Sequence, residues 1–176
     1  MSVLVGDSQR FAIEAEIETV MDGWVFGHFR FWAGGNAIGD WEDFTDLRGC
    51  LAWLRDFIGN ARDRTAPDLL RRPAEELFLA IFDPEMPRFW DVPRPVPPAT
   101  RVTDAFSRFH ISHIGMSSFE NYGLLLLKDG SGHERLLWAY NRDPKVREVF
   151  LEANEMEAVA REFCARLGDC IDAAIG

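Results

Sequence analysis

The chain has 176 residues, 47% of them hydrophobic and 12% aromatic, enough apolar material for the core of one globular domain spanning residues 1–176. Its 29 acidic residues against 19 basic ones give a formal charge of −10, which repels phosphate backbones, argues against nucleic acid as a partner and favours basic proteins. No run approaches the roughly 18–20 apolar residues of a membrane span, and Met1–Asp7 lacks the cationic start and apolar run of a secretory signal, so a cytoplasmic location is expected.

RFAIEAEIETV, residues 10–20, alternates Phe11, Ile13, Ala15 and Ile17 with Ala12, Glu14, Glu16 and Glu18, the period of a strand with one buried and one wet face. WVFGHFRFW, residues 24–32, follows a turn at Asp22-Gly23, and the two predict an antiparallel hairpin. Chemistry favours a three-residue loop over Asp22, Gly23 and Trp24, because it pairs Ile17 with Phe29, Ala15 with Phe31, Glu16 with Arg30 and Glu18 with His28. A two-residue loop would set Glu16 beside Phe29 and Glu14 beside Phe31, mixing charges with rings.

Gly34-Gly35-Asn36 predicts a further turn and Ala37-Ile38 a short strand. Leu47, Cys50, Leu51, Leu54, Phe57 and Ile58 recur at helical spacing, so residues 46–60 read as an amphipathic helix with Thr45 or Asp46 as its N-cap. A second helix is expected at 73–82, with Pro73 in the first turn, Glu75 and Glu76 at the positive end of the dipole, and Pro84 as the stop. Residues 83–100 hold most of the prolines and predict an extended surface connection anchored by Phe89 and Trp90.

Strands resume at 105–115, 122–127 and 133–140, the last two joined by the turn Lys128-Asp129-Gly130-Ser131-Gly132, and 146–151 could add one more. The end of the chain reads as a helix capped by Asn154, with Glu157 closing a capping box and Met156, Val159, Ala160, Phe163 and Leu167 facing inward. The pattern specifies an α+β protein: an antiparallel, mostly meander sheet of five to seven strands with two or three helices mainly on one face.

Few residues suggest chemistry. Asp40-Trp41-Glu42-Asp43-Phe44-Thr45-Asp46 lacks the ligand order of a calcium loop, and the simpler account is an acidic helix start. That account leaves Trp41 and Phe44 unexplained, since rings there must be packed or used. His110 and His113, three apart in a predicted strand, point to opposite faces and make poor metal partners. Ser112, Ser117 and Ser118 lie near those histidines without a nucleophile elbow, and the glycines of GNAIGD and GSG lack the helix and lysine of a phosphate loop. Cys50, Cys164 and Cys170 are odd in number without C-x-x-C spacing, which marks reduced core thiols. No catalytic set, cofactor or metal site is expected.

Several separated stretches together, GDSQRFAIEAEIE, the hairpin ending in GGNAIGD, HISHIG, YGLLLLKDGSGHERLLWAY and REVFLEANEMEAVAREF, resemble the immunity protein 42 family of bacterial polymorphic toxin systems. Ser8 stands where a proline would be expected in that pattern, and residues 60–104 look peculiar to this sequence, so the resemblance rests on roughly residues 6–58 and 108–163. The resemblance implies a cytoplasmic, non-enzymatic protein that binds and neutralises a cognate toxin, usually encoded beside it. Combined with the acidic charge, it predicts a basic toxin docked on a surface that includes Asp40, Trp41, Glu42, Asp43, Glu14, Glu16 and Glu18. The alternative is a small enzyme or ligand-binding domain with a pocket between sheet and helices, lined by His28, Arg30, His110 and Asp40.

Overall fold

The structure, a computed structural model, describes residues 1–60, 64–93, 102, 106–111 and 117–176. They form antiparallel sheets of five and three strands with helices, the expected α+β class, although the strands divide between two sheets rather than joining in one. The chain groups into two compact units. One contains Met1–Ala61, Ile114–Phe119 and Glu155–Gly176, and the other Arg62–His113 and Glu120–Asn154.

In the first unit, β1 (Ser2–Asp7), β2 (Phe11–Met21), β3 (Trp24–Ala33) and β4 (Asn36–Ile38) form a meander, and the short β5 (Thr45–Asp46) also pairs with β3. Helices α1 (Leu47–Gly59) and α4 (Glu155–Ile175) cover one face. Alternation explains the arrangement. Phe11, Ile13, Ala15, Phe29 and Phe31 point to the helices and are fully buried, where they meet Leu47, Cys50 and Leu54 of α1 and Phe163 and Leu167 of α4. Phe29 lies 5.8 Å from Phe163 and 6.0 Å from Phe119, a ring cluster in which each burial contributes about 1.5–3 kcal/mol.

The β2–β3 register corrects the expected one. Met21 pairs with Trp24 across a two-residue turn, and Asp22 and Gly23 have φ of 51° and 80°, the two positive values that a type I′ turn needs. A bulge between Ile17 and Thr19 then shifts the ladder, so that Ile17 faces Gly27, Glu16 faces His28, Ala15 faces Phe29 and Glu14 faces Arg30. The two faces are those expected, while the partners are two residues away. Glycine is required at position 27, because a Cβ there would come within 1.8 Å of the Glu16 carbonyl oxygen.

Helix α1 begins as expected, with the Asp46 carboxylate accepting from the amides of Arg48 and Gly49 at 3.1 Å. Glu42 and Asp43 do not reach its first turn, contrary to the expectation that their charge meets the dipole. The N-cap geometry expected of Asn154 is likewise absent: its φ is 56°, and its side-chain oxygen accepts from Lys128 Nζ at 3.0 Å.

In the second unit, β6 (Tyr122–Lys128), β7 (Glu134–Tyr140) and β8 (Asp143–Leu151) form a meander, with α2 (Ala74–Phe82) on one face. Its core joins Leu77, Phe78, Ile81 and Phe82 to Leu125, Leu127, Leu137 and Ala139. Phe89, 4.8 Å from Phe82, and Trp90 act as the expected anchors. Residues 83–93 run through successive turns instead of the extended path expected, with Met86 N donating to Phe82 O at 3.0 Å, while 94–100 lie outside the described residues.

The expected strand at 105–115 is also corrected. Phe106–Phe109 is one helical turn, α3, followed at His110 by a single bridge to Leu125. His110 N donates to Phe106 O at 2.8 Å, and the two rings stack 4.3 Å apart, an i, i+4 contact that alternation does not anticipate. Residues 112–116, with Ser112 and His113, lie outside the described residues.

Candidate functional site

The face of the first sheet turned away from the helices is built by every second residue of β3: Trp24, Phe26, His28, Arg30 and Trp32. Four of these side chains are planar rings. One oxygen of Glu14 accepts from Arg30 Nε at 2.7 Å and from Trp32 Nε1 at 2.8 Å, which fixes both. The Arg30 guanidinium then lies between two indoles, 4.5 Å from the centre of Trp32 and 4.2 Å from that of Trp41. Held by a carboxylate and two ring faces, the cation is half-buried without an uncompensated charge.

The acidic loop supplies the upper ring. Asp40 N donates to Ser118 O at 3.1 Å, and the Asp40 carboxylate accepts from Glu42 N at 3.0 Å in a local turn. The Asp43 carboxylate accepts from the Ser117 hydroxyl. These ties lay Trp41 on His28, 5.4 Å between ring centres, and Phe44 on Phe26 at 5.7 Å. The rings left unexplained by an acidic helix start are therefore packed in a row running Trp24, Phe26, Phe44, His28, Trp41, Arg30, Trp32.

The expected surface residues fall into groups. Asp40, Trp41, Glu42 and Asp43 are together in the loop, with Asp40 and Glu42 exposed. Glu14 and Glu16 lie on the strand face beneath, and Glu18, the bulged residue, is exposed with its carboxylate 3.2 Å from His28 Nε2. Glu14 is consumed by Arg30 and Trp32. Glu16 and Glu42 make no ion pair among the described residues.

Of the alternative pocket, His28 and Arg30 are neighbours under Trp41, whereas His110 belongs to the second unit, 5.6 Å from Phe82. Among the described residues, no three of His, Cys, Asp and Glu are grouped to hold a metal ion. A cleft of about 690 Å³ in the second unit is edged by Leu70, Arg71, Ser131, His133 and Phe150. Ser131 Oγ there lies 2.8 Å from His133 Nδ1 and 2.7 Å from Asp129 Oδ1, and Asp129 also accepts from the amides of Ser131 and His133. The bond from the Ser131 hydroxyl, with help from those amides, holds the Asp129 carboxyl below its ordinary range, as in a well-formed hairpin loop. Cys50 and Cys164 are buried thiols, and burial pushes the Cys50 thiol up to about 12.

Sequence reasoning missed the arginine held between two indoles and the exposed tip formed by Met21 and Trp24. The signal was present as planar side chains at 24, 26, 28 and 32 on the face assigned to water.

An α+β protein whose most elaborate surface is a planar stack bordered by carboxylates has the construction of a protein-binding protein. The chain belongs to the immunity protein 42 family, whose model matches residues 1–165, and its function is that of an immunity protein neutralising a cognate toxin. Its fold is similar to that of CdiI from Burkholderia dolosa AUO158, a crystal structure matched with a TM-score of 0.65 at 16% identity over 93% of this chain and 99% of that one. No curated protein sequence matches the chain. Among the described residues, no helix is long and apolar enough to cross a membrane.

Proposed function

We propose that the toxin is basic, and that this protein neutralises it in the cytoplasm by binding alone, through a surface comprising Asp40, Trp41, Glu42, Asp43, Glu14, Glu16 and Glu18. The observation that carries the reading is a row of fixed planar groups edged by carboxylates, two of which, Glu16 and Glu42, make no ion pair among the described residues. Protein interfaces combine an aromatic centre with a polar rim, and a rim of one sign selects a partner of the other. Glu14 contributes indirectly, by fixing Arg30 and Trp32.

The test is binding of the toxin domain encoded beside this chain to the double variant Glu42→Lys, Asp43→Lys. Reversing two rim charges is expected to weaken affinity about tenfold or more, mainly by slowing association. The fold should survive, since α1 is capped by Asp46 and only the Asp43–Ser117 hydrogen bond, about 1 kcal/mol, is lost. Undiminished affinity in the folded variant would exclude this corner from the interface.

A further inference from the structure

We infer that affinity for the toxin is concentrated at the tip of the β2–β3 hairpin, where Met21, Trp24, Phe26 and Phe44 form an apolar ridge shaped to receive an arginine-bearing notch of a basic protein; this rests on the immunity function and on the basic-toxin reading. Met21 is 59% exposed, Trp24 55% and Phe44 48%. Single exposed apolar side chains are ordinary on protein surfaces, whereas a contiguous set is the mark of a contact site. Here the set is contiguous. Met21 is the cross-strand partner of Trp24, Trp24 stacks on Phe26 at 6.2 Å and 15°, and Phe26 stacks on Phe44 at 5.7 Å and 19°.

The ridge is ordered before any partner arrives. Its rings already lean on one another, and the type I′ turn at Asp22-Gly23 fixes the strand ends that carry Met21 and Trp24. Little rotamer freedom remains to be lost on binding, which is the condition under which aromatic side chains become the dominant contributors to an interface.

Charge identifies the occupant. The hairpin that carries the ridge holds Asp22 in its turn and Glu18 at its bulge, and Phe44 directly follows Glu42 and Asp43 in the loop, in a chain of net charge −10. A second copy of the chain would bring the same carboxylates face to face, so self-association is disfavoured and a cationic partner favoured. The chemistry by which a guanidinium would settle on the outer face of Trp24 is already used within the chain, where Arg30 lies 4.2 Å from the Trp41 ring centre.

The measurement is the association and dissociation kinetics of the neighbouring gene's toxin domain with the full chain and its variants, each checked by thermal melting. Trp24→Ala is expected to raise koff at least about tenfold with kon changed less than about twofold, whereas Glu42→Lys with Asp43→Lys acts chiefly on kon. Met21→Lys, at an exposed position of the same pair, keeps the test decisive if Trp24→Ala unfolds, and should also raise koff. Phe150→Ala, on β8 and 64% exposed, should change neither rate. Unchanged koff in folded Trp24→Ala or Met21→Lys would overturn the ridge, as would an equal loss in Phe150→Ala. A concentration-dependent dimer of the chain alone that Trp24→Ala abolishes would also overturn it, by assigning the ridge to self-association. Failure of the unaltered chain to bind would overturn the basic-toxin reading and the ridge with it, whereas weakening by the charge reversals alone would overturn the ridge and leave that reading standing.

Discussion

Cys50 is the side chain whose chemistry the fold alters most. It is fully buried on α1, its thiol lies 3.3 Å from the Asp46 carbonyl oxygen, and burial raises its pKa from 9.0 to about 12. Because the folded value lies above the unfolded one, the stability it contributes is fully present below pH 9 and is lost as pH rises through about 12. Denaturant melts should therefore show stability falling across that window, at up to about 1.4 kcal/mol per pH unit from this group. Cys50→Ala should flatten this part of the slope while lowering stability at neutral pH through lost packing. An unaltered slope would mean that the thiol ionises in the folded protein as easily as in the unfolded one.

At the scale of elements, the β2–β3 hairpin shows what the sequence could and could not convey. Which residues face inward was legible, because period-two alternation groups Phe11, Ile13 and Ala15 within one strand and Phe29 and Phe31 within the other, and burying both apolar rows requires them on one side. The partner of each was not. A slip of two residues leaves every side chain on its own face, so pairing Glu16 with Arg30 and pairing Glu14 with Arg30 satisfy the same chemistry. The bulge at Glu18 then makes a two-residue turn compatible with the face assignment that had argued for three. Asp46, by contrast, was legible as a cap because the interaction is local, while the seat of Trp41 on Arg30 depends on contacts distant in sequence. Gly27 tests the register. Gly27→Ala forces a Cβ against the Glu16 carbonyl and should cost about 1–3 kcal/mol in a chemical melt, whereas an unchanged midpoint would contradict the close approach of the strands.

For the whole molecule the governing quantity is the charge of −10. Complementary charge mainly accelerates encounter and is screened over about 10 Å at 0.1 M salt, so association with the toxin domain should slow steeply between low and high salt while dissociation changes little. Stopped-flow rates across a salt series check this, and a flat association rate would remove the basic partner. The first unit has a further property, set by the order in which the chain is made. Its sheet lies in residues 1–61, yet the helix that covers Phe29 belongs to Glu155–Gly176. On the ribosome the sheet must wait for that helix through the synthesis of residues 62–154, roughly 5–20 s at about 5–20 residues per second. During that interval the rings of Phe11, Phe29 and Phe31 lack part of their cover. A cell therefore gains no protection from a copy translated only as far as residue 154: this unit is completed only once residues 155–176 have been made.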